Sequence, residues 1–297
     1  MRILVTGTQG QVVSSLLERA AGLPGIEVTA AGRPELDLRD RASVIRRIAA
    51  ARPDVVVSAA AYTEVDRAED EPEEAYRINV TGAGHVAEAA AKVGASVIYL
   101  SSDYVFSGDH SGPYKEESDT RPLTLYGLTK LEGERATANA NPSHIILRTS
   151  WVYSPFGRNF VKTMLRLAAE RRTISVVSDQ WGNPTSALDI ADGILQIASQ
   201  IRGDLAGVYH LAGAGEINWS GFARHIFSVS REHGGPFAEV TDTSSADYPA
   251  KARRPLNSRL ECGKIERAFG VRARDWRAST QTVVQRLLVA DRTSRVA

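Results

Sequence analysis

The feature that most constrains this chain is a regular alternation between short Val- and Ile-rich runs and longer helical patterns in its first half. The runs lack interleaved polar residues, which is typical of strands buried on both faces of a parallel sheet. Repeated strand–helix units predict a doubly wound α/β sheet with right-handed crossovers. The predicted strands are Ile3–Val5, Val28–Ala31, Val55–Val57, Val97–Leu100 and Ile145–Leu147. The predicted helices are Val12–Ala21, Arg41–Ala51, Glu73–Lys92 and Tyr126–Ala138.

After Leu147 the pattern becomes less regular, and loops rich in Gly, Ser and Pro separate the predicted elements. We predict a smaller C-terminal region, with residues 187–213 returning to the main sheet. Its predicted helices are Phe160–Arg172, Ala187–Ile201, Trp219–Arg231 and Thr280–Ala290. Its predicted strands are Ile174–Val177 and Val208–Leu211.

Charge and hydropathy exclude several classes of protein. The 297 residues include 36 basic and 35 acidic residues, a net charge of +1, which gives no bulk attraction to nucleic acid or anionic lipid. No apolar stretch reaches the ~20 residues that span a bilayer, and the first residues do not resemble a signal peptide. Cys262 is the single cysteine, so an intramolecular disulfide is excluded. We expect a cytoplasmic protein that binds neither nucleic acid nor membrane.

A glycine-bearing turn follows the first predicted strand. Residues 6–13 read Thr-Gly-Thr-Gln-Gly-Gln-Val-Val and lead into a helix. Such a turn lets backbone N–H groups approach a pyrophosphate, and the helix N-terminus adds partial positive charge. We therefore predict that a dinucleotide contacts Gly7, Gly10, Gln11 and Val12, within a dinucleotide-binding domain of residues 1–150. A plain strand–helix turn is the alternative.

The residues after the second predicted strand bear on the choice of dinucleotide. An acidic side chain at this place binds a ribose 2′-hydroxyl, whereas an arginine can bind a 2′-phosphate. This chain has Gly32 and Arg33 there. We predict NADPH as the preferred cofactor, with the acceptance of NADH left open. The alternative for Arg33 is an ordinary solvated arginine.

A serine, a tyrosine and a lysine form the candidate proton-transfer set. Ser102 ends the fourth predicted strand, and Tyr126 and Lys130 follow four residues apart, on one face of a helix. A neighbouring ammonium favours a phenolate and so lowers the pKa of a tyrosine. A serine hydroxyl can bind a carbonyl oxygen beside them. The three side chains are therefore predicted to catalyse carbonyl reduction. An exposed Tyr–Lys pair is the alternative.

Several segments together resemble the dTDP-4-dehydrorhamnose reductase family of extended short-chain dehydrogenases over nearly the whole chain. The loop resembles that superfamily's TGxxGxxG pattern, with Val13 in place of the third glycine. Val13 should push the helix outward or occupy a gap. The segments that carry the resemblance are Ala59–Glu69, Ser102–Phe106, Arg148–Tyr153, Asp179–Thr185 and Arg254–Leu260.

The resemblance implies NAD(P)H-dependent reduction of the 4-keto group of dTDP-4-dehydro-L-rhamnose to dTDP-L-rhamnose. It implies a sugar-nucleotide-binding region at residues 151–186 and 214–297. Further cofactor contacts implied by the family are Asp37, Leu38, Ala61, Tyr62 and Thr63, together with Tyr126 and Lys130. Substrate contacts implied by the family are Ser102, Asp103, Tyr104 and Trp151 at the sugar, and Arg254 and Asn257 at the diphosphate.

Two other functions remain open at this point. One is a reductase of another nucleotide-linked 4-ketosugar, because the orientation of a single hydroxyl group separates these substrates. The other is a non-catalytic regulatory subunit. One branch of the family resembles these reductases but serves as a subunit of methionine adenosyltransferase.

We expect no metal site. The six histidines show no metal-ligand spacing. Some members of the family form a magnesium-bridged dimer through glutamates, and this chain has Ser15 and Leu188 at two of those positions. A monomer and a homodimer are both left open.

Overall fold

The computed structural model describes residues 1–247 and 250–296. The first half contains β1 (Arg2–Thr6), α1 (Gln11–Ala20), β2 (Glu27–Ala31), α2 (Arg41–Ala51), β3 (Val55–Ser58), α3 (Val65–Ala68), α4 (Pro72–Tyr76), a π-helical segment (Arg77–Gly82), α5 (Ala83–Lys92), β4 (Ser96–Ser102), α6 (Leu125–Ala140) and β5 (His144–Thr149). The second half contains β6 (Val152–Tyr153), α7 (Phe160–Glu170), β7 (Thr173–Val177), β8 (Trp181–Gly182), β9 (Thr185–Ser186), α8 (Ala187–Ala198), β10 (Gly207–His210), β11 (Ile217–Asn218), α9 (Trp219–Glu232), β12 (Glu239–Thr243), α10 (Gly263–Phe269) and α11 (Trp276–Val296).

The central sheet confirms the predicted fold class. Its six strands, counted over the described residues, are parallel and lie in the order β10-β5-β4-β3-β1-β2. In the middle of the sheet, Val5 lies opposite Val57 on one side and Ala30 on the other. β10 pairs with β5 at the far edge, so a strand from the second half of the chain completes the sheet.

Helices cover both faces of this sheet, which explains why its strands are apolar throughout. Ile3 and Val5 pack into a cluster with α1 and α8 on one face. Leu4 and Val56 pack into a second cluster with α2 and α5 on the other face. Successive residues of one strand therefore enter opposite cores, and neither face requires polar side chains.

The order of the strands reverses at β1. The chain runs from β1 outward to β2 and then returns to place β3 on the other side of β1. A crevice forms at such a switch point, outside the carboxyl ends of the strands, and ligands of open α/β sheets bind there. Apart from Arg254 and Asn257, the predicted site residues lie at or follow the carboxyl ends of β1 to β5, so the loops that carry them lie at one edge of the sheet.

A third apolar cluster lies outside the sheet, formed by side chains of α7, α9, α11 and β7. β7 pairs with β12 in a small parallel sheet that the sequence did not predict. β12 has the sequence Glu-Val-Thr-Asp-Thr and offers too little apolar surface for the pattern to indicate a strand. The division into two domains stays a prediction, and residues 248, 249 and 297 of the predicted second region lie outside the described residues.

Two helix predictions differ from the structure in detail. The predicted helix Glu73–Lys92 contains a π-helical segment, because the turn from Arg77 to Gly82 is wider than an α-helical one. The predicted helix Thr280–Ala290 is longer and runs from Trp276 to Val296. Within the described part of the chain, no helix combines the length and apolar character of a membrane span.

Candidate active site

The turn after β1 offers a row of backbone donors. Gly7 adopts a φ of +99°, and its N–H donates to the carbonyl of Ala31. α1 begins at Gln11 after Gly10, and the first hydrogen bond back to the carbonyl of Gly10 comes from Ser14. The N–H groups of the first helical turn have no acceptor within an α-helix, so they can bind an anion such as a pyrophosphate.

The residue that replaces the third loop glycine is fully accommodated. Val13 is 2% exposed and belongs to the apolar cluster beneath the sheet. Its Cγ2 atom lies 3.4 Å from the position that a Cβ on Gly7 would occupy, and 3.6 Å from the corresponding position on Gly10. These are ordinary van der Waals distances. Val13 therefore fills the space under the loop and leaves the turn open on its outer side.

The side chain of Gln11 fastens this turn to the second half of the chain. Its Oε1 accepts hydrogen bonds from Ser154 and Asn159, and its Nε2 donates to the carbonyl of Val152. The amide side chain is thus committed to the protein, and only the backbone of Gln11 remains for the dinucleotide.

The residues after β2 lie beside the same turn. A Cβ on Gly32 would lie 3.1 Å from Cγ2 of Thr8, so the two loops are in close contact. Arg33 is exposed. The carboxylate of Asp37 accepts hydrogen bonds from the Nε and Nη2 of Arg39. These bonds lower the pKa of Asp37 to about 2. Leu38 is buried.

The segment after β3 is held from two sides. The hydroxyl of Thr6 accepts hydrogen bonds from the backbone of residues 59 and 60. Asn79, in the π-helical segment, accepts from the N–H of Tyr62 and donates both to the Tyr62 carbonyl and to Thr129 on α6. Ala61, Tyr62 and Thr63 therefore form a fixed rim between the glycine turn and α6.

α6 approaches the end of β4 at a distance that only glycine permits. Thr124 caps the helix by accepting a hydrogen bond from the N–H of Gly127. A Cβ on Gly127 would lie 2.1 Å from the carbonyl oxygen of Tyr104. The missing side chain therefore lets Tyr126 come within reach of Ser102.

Burial raises the pKa of Tyr126 to about 12, and the neighbouring Ser102 hydroxyl acts in the opposite direction. The hydroxyl of Ser102 also donates to Asp103 at 2.8 Å and accepts from the N–H of Tyr104. The ring of Tyr104 meets the ring of Tyr126 edge-on, with centroids 5.6 Å apart. Tyr126 is thus protonated in the free protein and fixed on two sides.

Lys130 lies one helical turn beyond Tyr126 and is 2% exposed. Its Nζ donates to the carbonyl oxygen of Leu100 at 2.6 Å and lies 4.1 Å from the centroid of the Tyr99 ring. Burial lowers the pKa of Lys130 to about 7, and the negative charge of Glu134 opposes that shift. The amine is therefore held against β4 and titrates near neutral pH.

A buried ion pair lies behind these groups. The Nε and Nη2 atoms of Arg148 on β5 donate to the two oxygens of Glu134 on α6 at 2.8 and 2.7 Å. Ser101 also donates to Glu134. Both side chains of the pair are nearly inaccessible, at 4% and 6%. The pair connects α6 to the sheet directly beneath Lys130.

Asp103 is buried next to the proton-transfer set. Burial raises its pKa to about 6, although the hydroxyl groups of Ser258 and Ser102 act in the opposite direction. Its Oδ2 has no hydrogen-bond partner among the described residues. An unpaired buried carboxylate oxygen costs about 1–3 kcal/mol or more, so this atom is a candidate for contact with a hydroxyl group of the substrate.

Trp151 stands just after β5 in a rare backbone conformation. Its φ is +46°, which is an outlier for a bulky residue and costs on the order of 1–3 kcal/mol. Its ring stacks on the ring of Trp219, with centroids 3.6 Å apart and planes 7° apart. On β8, Gly182 leaves room for the indole, since a Cβ there would lie 2.5 Å from the Cε2 atom of Trp151.

A cavity of about 1200 Å³ lies between α7, β7 and residues 244–246 and 250–254. Its apolar wall includes Phe160, Met164 and Trp219, and basic side chains of residues 251–254 lie opposite. Burial raises the pKa of Tyr104, and the positive charge of Arg254, which lines the cavity, opposes that shift. An apolar wall facing a basic one suits a nucleoside diphosphate.

The basic side chains are fixed by acidic residues of α3 and the turn after it. Asp66 accepts from the Nη2 of Arg254 at 2.7 Å and from the N–H of Ala252 at 2.9 Å. Lys251 forms an ion pair with Asp70. The Nη1 of Arg254 is buried and has no partner among the described residues, so it remains available for an anion.

Asn257 is placed differently from the other predicted substrate residues. Its Nδ2 donates to the carbonyls of His110 and Gly112, and its Oδ1 accepts from the N–H and Nε of Arg259. All of its hydrogen-bonding capacity is used to brace the loop at residues 110–112. The structure therefore does not bring Asn257 together with Arg254 as a second diphosphate ligand.

Four residues at this edge were missed by sequence reasoning. Asn79 had a signal, because a polar side chain stands inside the apolar pattern Ile-Asn-Val. The ion pair of Asp66 joins residues 188 positions apart, and Trp219 and Ser258 likewise meet the site only after folding. Single-sequence patterns carry no signal for such pairings.

Comparisons with known proteins identify the family of this chain. The family model described as the RmlD substrate binding domain matches residues 1–289. The chain is 50% identical over 293 residues to a dTDP-4-dehydrorhamnose reductase of Sinorhizobium fredii, covering 97% of this chain and 98% of the relative.

Two solved structures are also similar to the chain. The dTDP-4-dehydrorhamnose reductase of Clostridium acetobutylicum superposes with a TM-score of 0.91 at 34% identity, covering 97% of this chain and 100% of that chain. The enzyme of Bacillus anthracis, solved in complex with NADP, superposes with a TM-score of 0.87 at 34% identity, covering 97% and 99%.

Proposed function

The chain belongs to the dTDP-4-dehydrorhamnose reductase family, and from this premise we propose that Ser102, Tyr126 and Lys130 carry the family's reaction here. The reaction is the reduction of the 4-keto group of dTDP-4-dehydro-L-rhamnose by NADPH, which consumes one proton and gives dTDP-L-rhamnose and NADP⁺. The observation that carries the assignment of residues is the placement of Tyr126 and Lys130 on one face of α6, with the Ser102 hydroxyl at the end of β4 close enough to Tyr126 to act on its pKa.

Tyr126 is the proton donor. Its raised pKa keeps it protonated in the free protein, so it arrives at the carbonyl oxygen with a proton to give. A serine hydroxyl carries one proton, so Ser102 donates either to Asp103 or to a tyrosinate. Once Tyr126 has lost its proton, rotation of the Ser102 hydroxyl toward it stabilises the phenolate and favours the transfer.

Lys130 supports the same transfer by its charge. A protonated amine in a water-poor site favours the phenolate form of a neighbouring tyrosine. The hydrogen bond to Leu100 and the Tyr99 ring fix the amine in place. The negative charge of Glu134 opposes the lowering of the Lys130 pKa by burial. The family also places this lysine at a ribose hydroxyl of the cofactor.

The glycine turn fits a dinucleotide, because the first-turn N–H groups of α1 face outward and Val13 fills only the inner side. When bound, NADPH supplies the hydride that reduces the carbonyl carbon. The pyrophosphate would be held by Gly7, Gly10 and the backbone of Gln11 and Val12. Arg33 would contact the 2′-phosphate, and the remaining contacts would come from Asp37, Leu38, Ala61, Tyr62 and Thr63.

The substrate sugar would lie between Asp103, Tyr104 and Trp151. The unpaired Oδ2 of Asp103 suits a sugar hydroxyl, since a donated hydrogen bond would satisfy an otherwise unpaired buried oxygen. The apolar face of the Trp151 ring suits the deoxygenated side of the sugar.

The diphosphate would be held by Arg254, whose Nη1 is unpaired while its Nη2 is anchored by Asp66. Lys251 adds a second positive charge on the same side of the cavity. We assign Asn257 to the bracing of the loop at residues 110–112 and not to direct contact with the substrate.

The remaining expectations stay proposals of the same kind. Residues 1–150 with 187–213 would form the dinucleotide-binding domain, and residues 151–186 with 214–297 the sugar-nucleotide-binding region. The protein would act in the cytoplasm as a monomer or homodimer.

The experiment compares nucleotide-linked 4-ketosugars under identical conditions. Purified protein is incubated with NADPH and either dTDP-4-dehydro-L-rhamnose or its epimers, and NADPH oxidation is followed with identification of the sugar product. We expect the highest kcat/KM with dTDP-4-dehydro-L-rhamnose and dTDP-L-rhamnose as the product. A higher kcat/KM with an epimer would move the assignment to another 4-ketosugar, and absence of oxidation with every substrate would reject the reductase.

A further inference from the structure

Two tryptophans distant in sequence form one rigid unit at the wall of the substrate cavity. The rings of Trp151 and Trp219 are nearly parallel, and their centroids are 3.6 Å apart. Phe160 contacts Trp219 at a centroid distance of 4.5 Å. Trp219 and Phe160 line the cavity, and Trp151 stacks on Trp219, with the Trp151 carbonyl accepting the N–H of Thr185.

The backbone conformation of Trp151 is unfavourable and depends on contacts with neighbouring residues. A φ of +46° disfavours a bulky side chain, so the surrounding structure must impose this conformation. The stack with Trp219 is the largest specific ring contact that Trp151 makes among the described residues. The hydrogen bond from Thr185, at 3.2 Å, contributes a second constraint.

The two residues that enclose the Trp151 ring, Gly182 and Trp219, lie on or directly after the strands of a single two-stranded ribbon. β8 and β11 pair in antiparallel fashion, with Gly182 opposite Ile217. Gly182 on β8 provides the space for the edge of the indole. Trp219 follows β11 directly, and the cap of α9 by Asn218 fixes where it starts. The ribbon therefore sets the orientation of Trp151 as one unit.

We propose that Trp219 is a positioning residue that determines sugar recognition by holding Trp151 in its left-handed conformation. The inference rests on the proposed contact of Trp151 with the sugar. Without the stack, the Trp151 backbone relaxes toward a common conformation and its ring leaves the position proposed for contact with the sugar. Trp219 then acts on sugar binding through Trp151, while the dinucleotide turn at residues 7–12 is unaffected.

The test uses Trp219→Leu, which removes the stack but retains an apolar side chain, and Trp219→Phe, which retains a smaller aromatic ring. Trp181→Leu is the matched control, because Trp181 is a partly exposed tryptophan on β8 that makes no ring contact among the described residues. KM for the sugar nucleotide and for NADPH are measured separately. Circular dichroism reports the stack, because two indoles in contact whose transition dipoles are skewed within their ring planes give a paired positive and negative band.

We expect Trp219→Leu to abolish the paired band and to raise KM for the sugar nucleotide roughly tenfold, the scale of one aromatic pair. KM for NADPH should stay within about twofold of its wild-type value. Trp219→Phe should recover most of the sugar affinity. Trp181→Leu should keep both the band and both KM values.

The double variant Trp151→Ala/Trp219→Leu separates positioning from direct contact. If Trp219 acts through Trp151, the double variant binds the sugar nucleotide no more weakly than Trp151→Ala alone. Additive losses, or equal losses for both ligands, would overturn the inference. If KM for the sugar nucleotide is unchanged in Trp219→Leu but raised in Trp151→Ala, the inference about Trp219 is overturned and the proposed contact of Trp151 with the sugar stands. An unchanged KM in Trp151→Ala would overturn the proposed sugar contact as well.

Discussion

The amine of Lys130 donates a 2.6 Å hydrogen bond to the carbonyl oxygen of Leu100. Leu100 lies on β4, two residues before Ser102, so the strand that carries the serine also anchors the lysine. α6 carries Tyr126 one turn away. The relative positions of the three groups are therefore set by the packing of one helix against one strand, and not by a mobile loop.

The first prediction concerns the pH dependence of activity. Burial lowers the pKa of Lys130 to about 7, so in the free protein the amine loses its proton as the pH rises through that value. The charge that favours the tyrosinate is lost with it, and kcat/KM for the sugar nucleotide should fall above pH about 7. A profile that stays flat up to ~10.4, the ordinary pKa of lysine, would show that the buried amine does not titrate as described.

The same pKa shift predicts a change in stability. Between pH about 7 and ~10.4 the unfolded chain holds the Lys130 proton and the folded protein does not, so the free energy of unfolding rises with pH across this window. Urea unfolding of wild type and Lys130→Met at both ends of the window measures it. The free energy of unfolding of the wild type should be lower at the acid end of the window than at the alkaline end. Lys130→Met should lack this difference.

The second prediction concerns the choice of cofactor. A 2′-phosphate carries about two negative charges, and a charge-assisted hydrogen bond contributes ~1.5–3 kcal/mol, or roughly ten- to a hundredfold in affinity. Arg33→Ala should therefore raise KM for NADPH and leave KM for NADH almost unchanged. Arg46→Ala, on the exposed face of α2, is the control and should alter neither value. Equal increases for both cofactors in Arg33→Ala would mean that the arginine serves the fold.

The third prediction concerns the buried ion pair under the site. Glu134→Gln leaves the guanidinium of Arg148 inaccessible to water and only partly paired, and breaking such a pair costs about 3–5 kcal/mol. Urea denaturation should show this loss. The double variant Glu134→Gln/Arg148→Met removes both charges and should recover part of the stability. A single variant as stable as the wild type would show that the pair contributes nothing to holding α6 on the sheet.

The fourth prediction concerns metal and assembly. Ser15 and Leu188 are buried and offer no carboxylate. The nearby carboxylates of Glu18 and Asp192 are paired with Arg286 and Arg19. We expect full activity without added magnesium and a solution size that does not change with EDTA. Dissociation or inactivation on adding the chelator would show that other residues bind the ion.

Sequence patterns predicted the parallel sheet because each buried strand is apolar on both faces, as Leu4 and Val5 illustrate by entering opposite cores. They also predicted which loops meet, because parallel strands end at one edge. The edge strand β12 escaped notice, since its side chains are largely exposed and carry no apolar signature.

The parts of the site that could not be predicted depend on partners far apart in the chain. Asp66 and Arg254 meet across 188 positions, and Trp151 and Trp219 across the whole of α7 and α8. The family resemblance placed Asn257 at the diphosphate, yet its amide nitrogen donates both of its hydrogen bonds to the loop at residues 110–112. A motif specifies which residue is present, whereas its hydrogen-bond partners follow only from packing.

The most direct measurement is the turnover of Tyr126→Phe with NADPH and dTDP-4-dehydro-L-rhamnose, together with Kd for both ligands. The substitution removes one oxygen atom and with it the proton donor, while the ring that meets Tyr104 remains. We predict a fall in kcat of ~10²-fold or more, with both Kd values close to those of the wild type. A kcat near the wild-type value with intact binding would contradict the assignment of Tyr126 as the acid.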